Sequence, residues 1–408
     1  MSISTTNHDW LLPDGVADIL FVDAQKQESL RDALLFVLTA HGFRLVSPPL
    51  IEYTQTLFAQ TDEDLRRQTF KIIDQLNGRT MGVRADITPQ ITRIDAQHGH
   101  EISRYCYVGQ VVKTLPTGLF GLRTPMQLGA EIFGVEDVLD AASELSLIDL
   151  IASLFAEIAI SGEDLHIDIG HVVIFKRLCQ IHAMDVADIN QLMLLYNKKS
   201  LPELTDFCQN LTDGVDFLTL VTHIFDGTSL PSADNLLNKL SDVAKNDQQI
   251  QKACYEIQIL ARHAKKKGMT VSVDVAELSG YHYHTGLVFN IYLNTQTSQN
   301  IQTQALVSGG RFCASDTRQA TGFSMDINRL LDFVELQEDT VIWVDFADMQ
   351  DKTQACIQDL DQQIKNLQDE GCIVIKPLSK EDKPDLIDGV LYFDKEQKQW
   401  LVSLLGDG

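Results

Sequence analysis

The stretch 172–267 carries helical patterns almost throughout, with breaks near Pro202, Gly214 and Pro231, and strand patterns stand on both sides of it. Strand signals precede it at 105–112, 126–133 and 166–169 and return at 271–275, 287–293 and 304–308. A long helical block set inside a run of strands excludes a regular strand–helix alternation. It predicts an α+β fold, an antiparallel sheet flanked by helices, with the helices of 172–268 inserted late in the sheet.

The flanking elements fit that scheme. Leu30, Ala33, Leu34, Val37 and Leu38 recur at helical spacing over 23–42, and His41-Gly42 ends the helix. An Asn-Gly turn within Gln75–Gly78 joins two strand patterns, 69–74 and 79–84, as a hairpin. Helices are expected at 88–97 and 141–160, and His98-x-His100 reads as the solvated exit of the former. After the insertion come a Gly-Gly turn at 309–310, a short strand at 320–324 and a helix at 326–335. Residues 1–335 thus form one domain. Residues 340–408 form a small C-terminal α/β unit, with strands at 341–346, 372–375, 390–393 and 400–404 around a helix at 353–370.

Charge narrows the function classes. The 408 residues carry a formal net charge of -24, a field that repels nucleic acid unless a concentrated basic face offsets it. The tight basic run, Arg262–Lys267 before Gly268, reads as the last turn of a helix, where cations favour the carbonyl end. No apolar run approaches the ~20 residues of a membrane span, and the opening MSISTTNHDW has no signal-peptide character, so a cytoplasmic protein is expected. Seven scattered cysteines without a C-x-x-C pair point to free thiols. His282 and His284 share a strand face, yet no third ligand stands at a matching spacing, so no metal and no cofactor are expected.

Several motifs occur in the order of a class II aminoacyl-tRNA synthetase. Pro49–Glu52 resembles the end of motif 1. Arg84–Thr88, Arg93 and Tyr107–Gly109 resemble motif 2, and Gly322–Leu330, with Arg329, resembles motif 3. The Gln127-Leu-Gly-x-Glu131 strand, Gly309–Phe312 and the stretch Ser279–His284 resemble the amino-acid-binding parts of histidyl-tRNA synthetase over roughly residues 9–335. That resemblance implies a histidine site made by Asp86, Thr88, Gln127, Glu131, Tyr283, His284 and Arg311. The chemistry is apt: an ammonium seeks carboxylate and amide acceptors, and a carboxylate opposite an imidazole fixes its tautomer. As bare sequence, Gln127 and Glu131 also fit a solvent-facing strand, and Gly309-Gly310 also fits a plain turn.

The catalytic set departs from the synthetase pattern. Lys113 stands where the motif 2 arginine grips phosphate, Leu115 where an acid holds adenine, and Ser279 where the histidine-specific arginine acts. Adenylation is charge stabilisation of a phosphoryl transition state, and lysine does not replace a bidentate arginine. The pattern, with the opening Asp9–Asp18, resembles the regulatory subunits of ATP phosphoribosyltransferase, paralogues of the synthetase. This implies no catalytic residues, a short-form catalytic subunit as partner in a hetero-octamer, self-association as a dimer, and histidine feedback. A divergent histidyl-tRNA synthetase and a stand-alone amino-acid ligase on the same fold are the alternatives.

Overall fold

A computed structural model describes residues 11–59, 63–116, 121–135, 141–222 apart from 199, 210 and 212–213, 236–294 apart from 277, 279 and 282, 305–336 apart from 316, and 340–405 apart from 351–352, 380 and 385. Asp9, Trp10, Pro231, Ser279, His282 and Gln304, all used in the sequence reading, lie outside the described residues. The chain divides into two compact units, Met1–Val334 and Glu335–Gly408.

In the first unit the strands are β1 (Arg44–Leu45), β2 (Ile51–Tyr53), β3 (Phe70–Ile73), β4 (Thr80–Val83), β5 (Ser103–Gln110), β6 (Met126–Phe133), β7 (Leu165–His171), β8 (Thr270–Val273), β9 (His284–Leu293), β10 (Val307–Ser315) and β11 (Arg318–Asp326). Among the described residues eight of them form one sheet in the order β1-β5-β6-β11-β10-β9-β7-β8, and β2-β4-β3 form a small second sheet. The large sheet is antiparallel through its middle and parallel at both edges, where β1 pairs β5 and β7 pairs β8. A parallel pair needs a long crossover. The helical block is that crossover between β7 and β8. Its helices include Val172–Ile181, Val186–Lys198, Leu201–Gln209, Val215–Thr222 and Gln248–Lys266.

The two faces of the sheet are covered unequally. The helices Phe21–Ala40, Ala142–Glu157 and Gln248–Lys266 bury one face in a single large core, which takes Cys106, Leu128, Ala130 and Ile132 from the central strands. The alternating neighbours Tyr105, Tyr107 and Phe133 point the other way, into a smaller cluster with Ile87 and Ile91 at the Thr88–His98 helix and with Phe312. The rest of that second face is left for a cavity.

Two local expectations change. Gly309 and Gly310 sit inside β10, paired with β9 and β11, and make no turn. A Cβ on Gly310 would stand 2.6 Å from Leu287 O and 2.9 Å from the His284 ring, so close crossing of β9 explains the glycine. The segment after β11 is a 3₁₀ turn, Ile327–Phe333, opened by Asp326, whose side chain accepts from Asn328 N. The basic run does end a helix: His263 Nε2 and Lys267 Nζ each lie 2.7 Å from Asp149 Oδ1.

The second unit has strands β12 (Val341–Val344), β13 (Ile373–Ile375), β14 (Gly389–Asp394) and β15 (Gln399–Leu404), ordered β13-β12-β14-β15. The helix Gln354–Asp369, capped by Thr353, packs Leu360 against Ile342, Val344, Leu391 and Trp400.

Candidate functional site

The open face of the large sheet holds a cavity of about 260 Å³, a volume that suits a small metabolite. Asp86, Thr88, Glu131, Tyr283 and His284 all line it. Three loops and strands far apart in sequence bring them together. Asp86 and Thr88 come from the entry to the Thr88–His98 helix, Glu131 from β6, and Tyr283 and His284 from the turn into β9.

Glu131 is the centre of the arrangement. Its side chain is 1% exposed. Its Oε1 accepts from Thr88 Oγ1 at 3.1 Å and from Tyr107 Oη at 3.3 Å. Its Oε2 has no partner. A buried carboxylate oxygen left unsatisfied is costly, and it is the group an incoming N–H would complete. Burial pushes the Glu131 carboxyl well above the usual carboxylate range, and the Asp86 charge adds to the shift. Burial likewise raises the Tyr107 hydroxyl, with the Glu131 and Asp86 charges behind it. Gly322, opposite Glu131 on β11, leaves the space the carboxylate occupies: a Cβ there would collide with Oε2.

Asp86 is oriented by its neighbours. Its Oδ1 accepts from Thr88 N at 3.0 Å and from Gln127 Nε2 at 2.9 Å, while Gln127 Oε1 accepts from Ile87 N at 2.9 Å. Gln127 therefore stands behind Asp86 as a positioning residue. The aromatic wall is Tyr283, stacked on Phe312 with centroids 4.8 Å apart. The insertion holds this wall from outside: Lys176 Nζ donates to His284 O at 2.7 Å, and Phe175 packs edge-on against Tyr281.

Arg311 is not part of the cavity. Its neighbours Gly310 and Phe312 line the site, so strand alternation turns Arg311 to the helix-covered face. There Nε and Nη2 reach Glu144 at 2.8 and 3.0 Å, and Nη1 reaches Glu256 at 3.4 Å. Glu256 also meets His171 Nε2 at 2.9 Å. Sequence reasoning missed Tyr107 as a partner of Glu131. It also missed the neutral polar rim Asn290, Ser308 and Ser324. The signal for Tyr107 was Gly129, its cross-strand partner, whose missing side chain admits the phenol.

Three positions that the synthetase resemblance singles out, Lys113, Leu115 and Arg329, lie in these surroundings. Lys113 bridges Thr69 through the backbone, and its charge acts on Asp326, which burial raises to about 6. Leu115 is 67% exposed. Arg329 donates to the Ala305 carbonyl.

A histidyl-tRNA synthetase family model matches residues 15–330. The ATP phosphoribosyltransferase regulatory subunit of Psychrobacter arcticus is 50% identical over 384 residues, covering 92% of this chain and 95% of that protein. The one of Acinetobacter baumannii is 36% identical over 416 residues, covering 99% and 100%. The chain belongs to the ATP phosphoribosyltransferase regulatory subunit family. Solved structures agree on the fold of this regulatory-subunit family member. An ATP phosphoribosyltransferase regulatory subunit/histidyl-tRNA synthetase from Bacillus halodurans superposes with a TM-score of 0.73 at 20% identity, covering 92% of this chain and 95% of that one. Histidyl-tRNA synthetase from Nostoc gives 0.69 at 16% identity, covering 97% of each. Within the described residues of this regulatory subunit, no helix is long and apolar enough to cross a membrane.

Proposed function

We propose that the chain is a non-catalytic regulatory subunit in the first step of histidine biosynthesis. It activates a short-form ATP phosphoribosyltransferase catalytic subunit in the cytoplasm, within a hetero-octamer built on its own dimers, and it carries histidine feedback. The observation that supports histidine as its ligand is the unpartnered Glu131 Oε2 in a cavity shared with Asp86, Thr88, Tyr283 and His284. A histidine there completes the buried carboxylate with a ring or ammonium N–H, and such charge-assisted bonds contribute about 1.5–3 kcal/mol each. The adenylation chemistry of the fold is absent by this reading. Catalysis of phosphoryl transfer rests on charges aimed at phosphate, and here Lys113 and Ser279 replace arginines while Arg329 is turned to a backbone carbonyl.

The test is phosphoribosyl-ATP formation by a short-form catalytic subunit, with and without this chain, across a histidine titration. Stimulation that histidine reverses is the expected result. A rate and a histidine response indifferent to the chain would remove the proposal, and histidine-dependent ATP–pyrophosphate exchange by the chain alone would replace it with a synthetase-type ligase.

A further inference from the structure

The cavity is charged on one side only. Asp86 and Glu131 line it, and none of its described lining residues is a lysine or an arginine. The undescribed positions of the adjoining stretch are Glu277, Ser279 and His282, which add no such cation. Cations on the surrounding elements end on other groups. Arg311 is on the far face of the sheet with Glu144 and Glu256. Arg84 donates to Pro48 O at 2.7 Å and Gln110 O at 3.0 Å. Lys176 donates to His284 O and lies 4.9 Å from the Tyr281 ring centroid.

Away from the acids, the cavity offers Asn290, Ser308 and Ser324. Ser308 Oγ donates to Asn290 Oδ1 at 2.8 Å. Hydroxyls and amides of this kind suit an alcohol or an amide. They do not neutralise a carboxylate, which needs a cation or several N–H donors when taken from water. A free amino acid therefore brings one group that the cavity answers and one that it repels. Its ammonium meets Asp86 and the unpartnered Glu131 Oε2. Its carboxylate meets the like charge of Asp86, the buried Glu131 carboxyl and neutral dipoles.

We propose that this cavity selects its ligand by positive charge, taking aromatic-ring amines whose carboxyl group is absent or masked at least as readily as the free amino acid. The inference rests on the histidine reading above and deepens it. Histidine is held by its ammonium and ring, and its carboxylate contributes nothing favourable.

Calorimetric titration of the full chain at about pH 7 with three probes decides the matter. The probes are histidine, histidinamide, whose carboxyl is masked, and imidazolepropionate, which keeps the carboxylate and lacks the ammonium. Histidinamide is expected to bind on the order of three- to tenfold more tightly than histidine, the scale of one screened like-charge repulsion removed. Imidazolepropionate is expected not to compete. Histidinamide binding tenfold more weakly than histidine, or competition by imidazolepropionate, overturns the charge selection while leaving the histidine site standing. Binding of histidinamide without histidine supports the charge selection and retires the histidine reading. Silence from all three overturns both.

Discussion

At the scale of single residues, Glu131 is the buried acid on which the proposed histidine site turns. Burial and the Asp86 charge hold its carboxyl above the usual range, so the protonated form is favoured in the folded state. The linked stability is fully present below the ordinary carboxylate range of about 4.3 and is lost as pH rises through the higher folded value. Glu131→Gln keeps an acceptor for Thr88 and Tyr107 and cannot ionise. We expect this variant to melt at least about 2 °C above wild type at pH 8 and level with it near pH 4, by differential scanning calorimetry. The same change should weaken histidine binding at least tenfold, since a neutral amide replaces the carboxylate that a cation draws into its ionised form. Equal melting temperatures at both pH values would show that burial has not shifted the group. Glu131 was legible in the sequence because an acid at that place in an apolar strand demands a reason. Arg311 was misread because its neighbours Gly310 and Phe312 do line the cavity, and proximity in sequence is not a shared face in a strand.

At the scale of elements, β10 and β11 show what the pattern conveyed and what it hid. The helical insertion, the hairpin and the central strands follow from periodicity. The Gly309-Gly310 pair did not, since glycines that relieve close packing inside a sheet look like glycines that turn a chain. The distinction lies in what crosses above them, here the His284 ring and the Phe289 ring, and no local window contains it. Arg311 ties β10 to the Ala142–Glu157 and Gln248–Lys266 helices through Glu144 and Glu256. Arg311→Met takes the cation from the buried Glu144 carboxylate and leaves Glu256 with only Lys252 and His171, a loss of about 3–5 kcal/mol by urea denaturation, while histidine affinity of the folded protein stays within about threefold, the size of ordinary indirect effects. A collapse of affinity at unchanged stability would return Arg311 to the site. Gly322→Ala should do the reverse. Its backbone requires no positive φ, but the added Cβ displaces the Glu131 carboxylate and approaches Ala130 O to 2.9 Å. We expect histidine binding to be abolished, with about 1–3 kcal/mol of overpacking cost. A Gly322→Ala protein that still binds histidine at wild-type affinity would show that the carboxylate is not the anchor.

At the scale of the whole molecule, the strongest constraint is reciprocity. If histidine bound to this chain reverses activation of a catalytic partner by altering their association, the two binding events share one coupling free energy. The partner must then change the histidine affinity of this chain by the same factor by which histidine changes the affinity of the partner. Couplings of this kind run at about 1–3 kcal/mol, or roughly 5–150-fold. A histidine that bound the free and assembled chain equally would shift nothing, however tightly it bound. The prediction is that histidine binds this chain at least about fivefold more weakly when the catalytic subunit is saturating, measured by titration of the chain alone and of the complex. Subunit affinity measured with and without saturating histidine should fall by the same ratio. The net charge of -24 gives the experiment a control. Rising salt screens the long-range field of this acidic chain and shifts both subunit affinities together, whereas a coupling routed through the buried cavity leaves their ratio unchanged. A ratio of one would mean that histidine held here does not act through subunit association.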